Sequence, residues 1–211
     1  MAIKKLYLFL FLLPHCGPHP NQALIGTSDF VPASPAYLPA LGSLDGRCTV
    51  AHLGGGLGVT AGHCVDPVPP KKVLWGDGAI SIVEKVLAWE QTDSSDLGWI
   101  QLLDPPKAHL DLRDSGPLPG ETIQVLSFPK NNPILQSSGF CQIEAFDLIP
   151  ITEQIAYTCD SMPGSSGGAI LDSEKKLIGI HSFYSPMTNQ NGGTPLSSKS
   201  KFIFFIRQSD I

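Results

Sequence analysis

Between Cys48 and Ile206 the chain is cut into short apolar, β-branched runs by glycines, prolines and polar clusters. Runs of this length and composition read as β-strands, because a helix needs a sustained 3.6-residue period and tolerates neither breaker. The 19 prolines and 21 glycines leave no long stretch for such a period. Strands are expected at Cys48–Leu53 and Leu57–Thr60, as a hairpin about Gly54-Gly55-Gly56, then at Val73–Trp75, Ala79–Glu90 and Asp96–Leu103. Asp104–Gly120, with four prolines, reads as a linker. Further strands are expected at Glu121–Phe128, Gly139–Ile149, Gln154–Cys159, Gly168–Leu171, Lys176–Phe183 and Lys201–Ile206. Residues 24–47, punctuated by Pro32, Pro35 and Pro39, read as extended chain. Half-buried strands lose their exposed edges when each half closes into a barrel. The expected class is therefore all-β, with one half at 24–118 and the other at 119–211.

Lys4 and Lys5 precede the apolar run Leu6–Leu13, which is too short to span a bilayer and reads as a secretory signal over residues 1–23. A lipoprotein cysteine at Cys16 is the alternative, disfavoured by His15 before it. The formal net charge is −5, and removing the leader takes away two lysines and no acid. The mature chain is thus more acidic still, which argues against nucleic acid and anionic membranes as partners. Four cysteines remain, Cys48, Cys64, Cys141 and Cys159; an even number in a secreted chain implies two disulfides, with three pairings open. No Cys-x-x-Cys or His-Glu-x-x-His spacing suggests a metal site.

Chemistry concentrates at Asp160-Ser161-Met162-Pro163-Gly164-Ser165-Ser166-Gly167-Gly168. Glycines flank a serine where the backbone must approach a substrate or adopt angles a Cβ forbids. The N–H groups of Gly164 and Ser166 are candidates to converge on one oxyanion, with Ser166 as nucleophile beside them. A serine nucleophile needs a base. Of six histidines, His15 and His19 fall in the leader, His52 in an alternating stretch, His109 in a proline-flanked loop and His181 after the motif; His63 stands between small residues beside Cys64.

Thr60-Ala61-Gly62-His63-Cys64 and Gly164-Ser165-Ser166-Gly167-Gly168 together resemble the two hallmarks of trypsin-like serine proteases. Ser95-Asp96-Leu97-Gly98-Trp99-Ile100 is similar to that family's aspartate strand, and the order His, Asp, Ser is the chymotrypsin-type order. The resemblance implies two packed six-stranded antiparallel β-barrels with the active site in the cleft between them. It also implies a catalytic triad of His63, Asp96 and Ser166, protein or peptide substrates, and no cofactor. Asp93 is the alternative to Asp96. The family pairs cysteines at the places of Cys48 and Cys64, which leaves Cys141 for Cys159. A monomeric secreted or periplasmic endopeptidase is expected; the alternative is a catalytically silent homologue acting as a binding module.

Within the family, Ile25-Gly26-Thr27-Ser28-Asp29 resembles the mature start of bacterial glutamyl endopeptidases, and Gly179-Ile180-His181-Ser182 resembles their pocket strand. That likeness implies a preference for Glu or Asp before the scissile bond, with Ser161, His181, Ser182 and Tyr184 as pocket residues. No aspartate is expected at the pocket base, since Asp160 is one residue out of register with Ser161. Ser165 stands where digestive proteases carry an aspartate, so their activation switch is not implied. Gly164–Gly168 also satisfies Gly-x-Ser-x-Gly, the nucleophile elbow of α/β-hydrolases, but that elbow needs a following helix and the order Ser, Asp, His. Here a tight Asp172–Lys175 turn follows, which reads as a hairpin.

Overall fold

The computed structural model describes residues 24–25, 28–92, 94–130, 132–144, 154–186 and 188–197. The leader, Asp93, the end of the expected strand Gly139–Ile149 and the expected strand Lys201–Ile206 lie outside the described residues.

Among the described residues the first element is a two-residue strand β1 (Val31–Pro32), followed by a 3-10 helix at Pro35–Ala40 where extended chain was expected. Pro35 suits the first helical position, because its missing N–H would have had no partner there. Six strands follow: β2 (Leu41–Leu44), β3 (Cys48–His52), β4 (Leu57–Thr60), β5 (Lys72–Trp75), β6 (Ile80–Gln91) and β7 (Asp96–Leu103). They close into an antiparallel barrel in the order β2-β3-β4-β7-β6-β5. The 12-residue β6 bends around this barrel at two register shifts, between Val83 and Lys85 and between Val86 and Ala88. Extra residues of that kind increase local twist and let a long strand curve.

The second half contains β8 (Thr122–Ser127), β9 (Gln136–Gln142), β10 (Ile155–Tyr157), β11 (Ala169–Asp172), β12 (Leu177–Ser185) and β13 (Gln190–Pro195). The sheet order is β1-β9-β8-β11-β12-β13-β10, so the N-terminal segment is carried onto the second half by its pairing with β9. Ile143, just past β9, bridges Tyr157 on β10, and the Glu144 N–H donates to Ala156 O at 2.9 Å. These contacts curl the sheet round on itself, leaving β1 as a seventh strand outside the ring. The fold is nearly all β, a closed six-stranded barrel beside a second curled sheet, as expected.

Packing follows the period-two pattern. On β5, Val73 and Trp75 are buried while Lys72 and Leu74 face out. Trp75 satisfies its indole N–H on Ser81 Oγ at 2.8 Å, and that hydroxyl donates onward to Asp104 O. Burying each such large side chain contributes roughly 1.5–3 kcal/mol. One apolar cluster runs from Val50, Val59 and Trp99 of the first barrel to Leu126, Phe128 and Ile180 of the second, so the halves share a core. Both disulfides form, Cys48–Cys64 and Cys141–Cys159. Among the described residues no helix is long and apolar enough to cross a membrane.

Candidate active site

His63 lies in a short 3-10 turn, Gly62–Cys64, directly after β4. The disulfide from Cys64 to Cys48 ties that turn back to the start of β3. Asp96, the first residue of β7, is 8% exposed and grips the histidine twice. Its Oδ2 is 2.6 Å from His63 Nδ1, and its Oδ1 accepts the His63 backbone N–H at 2.9 Å. A carboxylate only accepts, so a proton sits on Nδ1, and in the neutral ring it is Nε2 that keeps the lone pair. Asp96 is itself oriented from the other half of the molecule, its N–H donating to Thr194 Oγ1 on β13 at 2.9 Å. Gly62 permits the grip: a Cβ there would collide with Glu90 O and lie 2.9 Å from Asp96 Oδ1.

The serine loop is held almost bond for bond. Ser165 is fully buried, its hydroxyl 2.9 Å from Ser127 Oγ and accepting the Met162 N–H at 3.1 Å. The Gly167 N–H donates to His181 O, the Gly168 N–H to Ser165 O, and the His181 N–H to Gly168 O. Among the described residues the N–H groups of Gly164 and Ser166 donate to nothing. Lys130 N–H fixes Pro163 O at 2.7 Å, and in a planar trans peptide the Gly164 N–H then points the opposite way. Gly164 has φ +94°, and a Cβ on it would meet the Lys130 backbone, so this conformation is reserved for glycine.

Ser166 is half-buried, and its hydroxyl has no hydrogen bond among the described residues. Its carbonyl accepts the Thr49 N–H at 2.8 Å, and Thr49 follows Cys48, the partner of Cys64. The histidine turn and the serine loop are thus joined through Thr49, a residue that sequence reasoning missed. Thr49 is fully buried; its hydroxyl accepts the Phe128 N–H at 2.8 Å and lies 3.4 Å from Gly164 O, which it faces as donor. His63, Cys48 and Cys64 bring three ligand-type atoms within 4.8 Å of one another, but the two sulfurs are bonded together and offer no thiolate.

The residues expected to form the pocket have distinct environments. His181 on β12 is 4% exposed, with Nδ1 2.6 Å from the Tyr157 hydroxyl. Burial, reinforced by the charge of nearby His63, lowers its pKa from 6.5 to about 4 against the opposing pull of a Gly192 backbone contact and Asp96. His181 is therefore neutral at pH 7. Ser161 is buried and donates to Asn191 Oδ1 at 2.6 Å, while Asn191 Nδ2 donates to Cys159 O. Ser182 Oγ is buried with no partner among the described residues. Tyr184 sends its hydroxyl to Asn189 Oδ1 at 2.9 Å, in the turn between β12 and β13. Asp160, 3% exposed, faces the N-terminal segment, accepting the Ile25 N–H at 2.7 Å and the Asp29 N–H at 2.9 Å. Ser166 leads into β11, which forms the expected hairpin with β12, and no helix follows it among the described residues.

A closed β-barrel beside a second curled sheet, with a histidine turn from one and a glycine-rich serine loop from the other, defines the chymotrypsin-like class of serine peptidase folds. The chain belongs to the trypsin-like peptidase domain family, whose model matches residues 46–180. Among solved structures it is similar to a Glu endopeptidase in complex with MPD, at 20% identity and TM-score 0.72, covering 88% of this chain and 98% of that one. It is also similar to neuropsin, a serine protease expressed in the limbic system of mouse brain, at 17% identity and TM-score 0.71, covering 85% and 99%. A third similar structure is an inactive mutant form of Rv3671c from M. tuberculosis H37Rv, at 14% identity and TM-score 0.61, covering 78% and 89%. Among curated proteins none matches the chain.

Proposed function

We propose that this serine peptidase is a secreted endopeptidase in which Ser166 is the nucleophile, His63 the general base and Asp96 the residue that holds the imidazole. The observation that carries the reading is the double grip of Asp96 on His63, through Nδ1 at 2.6 Å and the backbone N–H at 2.9 Å. That grip leaves Nε2 able to take the Ser166 proton as Oγ attacks the scissile carbonyl, and to return it to the leaving amine. The resulting imidazolium is stabilised by the Asp96 carboxylate. The unengaged N–H groups of Gly164 and Ser166 receive the developing oxyanion, each worth roughly 2.7–4 kcal/mol of transition-state stabilisation in sites of this type. Water then hydrolyses the acyl-enzyme by the same route. An open Ser166 hydroxyl is compatible with this, since such bonds tighten only around substrate. Ser166→Ala and His63→Ala should each remove nearly all peptide hydrolysis while leaving the fold intact, because the members act as a unit; near-wild-type turnover in either refutes the assignment.

The pocket reading is a preference for an acidic residue before the scissile bond, recognised at His181 with Ser161, Ser182 and Tyr184 around it. The neutral state of His181 favours a hydrogen-bonding rather than an ion-pairing role. Asp160, turned toward Ile25 and Asp29, is committed away from a cationic substrate side chain. Cleavage of matched peptides carrying Glu, Asp, Arg, Leu or Ala before the bond tests this. Selective loss on Glu in His181→Ala supports the reading; equal or better cleavage after Leu or Arg in the wild type refutes it. Secretion is supported by the two disulfides. A mature start at Ile25 would place the new α-amine at the Asp160 carboxylate, and N-terminal sequencing of the exported protein tests it.

A further inference from the structure

A histidine can bind a substrate carboxylate without a charge only if the ring nitrogen facing the substrate carries the proton. A carboxylate has lone pairs alone to offer, so a bare nitrogen repels it. The tautomer of His181 therefore decides what its site can select, and the structure contains a group that sets it. β13 lies between β10 and β12, yet the side chains of Tyr157 and His181 meet across it, with ring centroids 6.1 Å apart. The Tyr157 hydroxyl has one proton and two acceptors within reach: His181 Nδ1 at 2.6 Å and Gly192 O at 3.3 Å. The first distance is that of a strong hydroxyl hydrogen bond; the second lies beyond the usual range for one. His181 Nε2 has no hydrogen bond among the described residues, and it is not one of the buried atoms left without a partner, so it remains open.

We propose that Tyr157 is a positioning residue that donates its phenolic proton to His181 Nδ1 and thereby presents Nε2–H as a neutral donor to an acidic substrate side chain. This rests on the acidic-preference reading of the same site. Burial keeps both partners in the states it requires: the Tyr157 phenol is pushed well above 10 and stays protonated, and His181 is held neutral. Selection then comes from a hydrogen bond in a desolvated wall, where a mismatched partner is rejected more strongly than in water. The competing arrangement has Nδ1–H donating to the phenolic oxygen and the phenol donating to Gly192 O. It would leave Nε2 bare and the wall unsuited to a carboxylate.

Ring ¹⁵N spectra of selectively labelled wild-type protein at neutral pH read the tautomer directly. Protonated Nε2 and bare Nδ1 at His181 are expected; a proton on Nδ1 overturns the proposal whatever the substrate preference proves to be. Tyr157→Phe removes only the hydroxyl. The ratio of kcat/KM for matched Glu and Leu peptides should fall roughly 10- to 100-fold in this variant, the range for a lost hydrogen bond to a charged group. A merely structural role would lower both rates together. A Tyr157→Phe protein that keeps the wild-type ratio while His181→Ala loses it refutes the positioning role and leaves the acidic preference standing. A wild type with no Glu preference refutes the specificity reading instead, and the ring spectrum still decides the tautomer. If Tyr157→Phe fails to fold, as read by its thermal melt, the wild-type spectrum alone is decisive.

Discussion

Taking the protein from pH 7 to pH 4 should weaken the fold through His181, and His181→Gln should remove that part of the loss. The side chain is 4% exposed and its pKa in the fold is about 4, against 6.5 for the free group. The folded value is depressed, so between these limits the unfolded chain binds the proton and the native protein does not. The associated stability is fully present above about pH 6.5 and disappears as the pH falls toward 4. Integrating the linkage for one site gives a loss of about 2 kcal/mol by pH 5 and about 3 kcal/mol by pH 4. Urea melts of both proteins at pH 7, 6, 5 and 4 measure it. His52, whose pKa burial also lowers, and the carboxylates titrate in both proteins, so the difference between the two pH profiles isolates His181. Parallel profiles would refute the claim that His181 is a buried neutral imidazole.

Asp96→Asn should keep the melting temperature within a few degrees but lower kcat by up to about 10⁴, because the amide accommodates the wrong imidazole tautomer; a kcat near wild type would move the orienting role elsewhere. Gly164→Ala forces a Cβ against the Lys130 backbone at φ +94°. It should lower kcat by roughly 10²–10³ with little change in KM, as expected for loss of one oxyanion donor, and a KM-only effect would contradict that role. Thr49→Val preserves shape but strands the buried Phe128 N–H and frees the Gly164 carbonyl. It should destabilise by about 1–3 kcal/mol in denaturant melts and also slow turnover; an effect on stability alone would limit Thr49 to joining the halves.

The strands of the first barrel were largely legible, since β3 to β7 are apolar and β-branched runs ended by glycine, proline or polar clusters. The expected strand Asp96–Leu103 coincides with β7. Beyond the two-residue β1, β2 and β13 escaped notice for the same physical reason. β2 reads Leu-Gly-Ser-Leu and β13 reads Gln-Asn-Gly-Gly-Thr-Pro, both poor in the residues that favour a pleated surface. They are strands because each is gripped on both sides, β2 by β3 and β5, β13 by β10 and β12. At the site, His63, Asp96 and Ser166 stood in motifs with their own local signature. Thr49, Tyr157 and Thr194 did not: their hydrogen-bond partners are 79, 24 and 98 positions away, and a threonine or tyrosine within a strand carries no local sign of such a contact. Ser161 shows the converse. Its type and place suggested a free hydroxyl for substrate, and only the fold reveals Asn191 as its acceptor.

The most direct test of the active-site assignment is reaction of the exported protein with a serine-phosphonylating reagent, followed by peptide mass mapping. One adduct per chain on Ser166 is expected, with loss of peptidase activity in step with labelling and greatly slowed labelling in His63→Ala. A folded protein that takes up no reagent, or takes it up at another serine, would contradict the assignment of His63, Asp96 and Ser166.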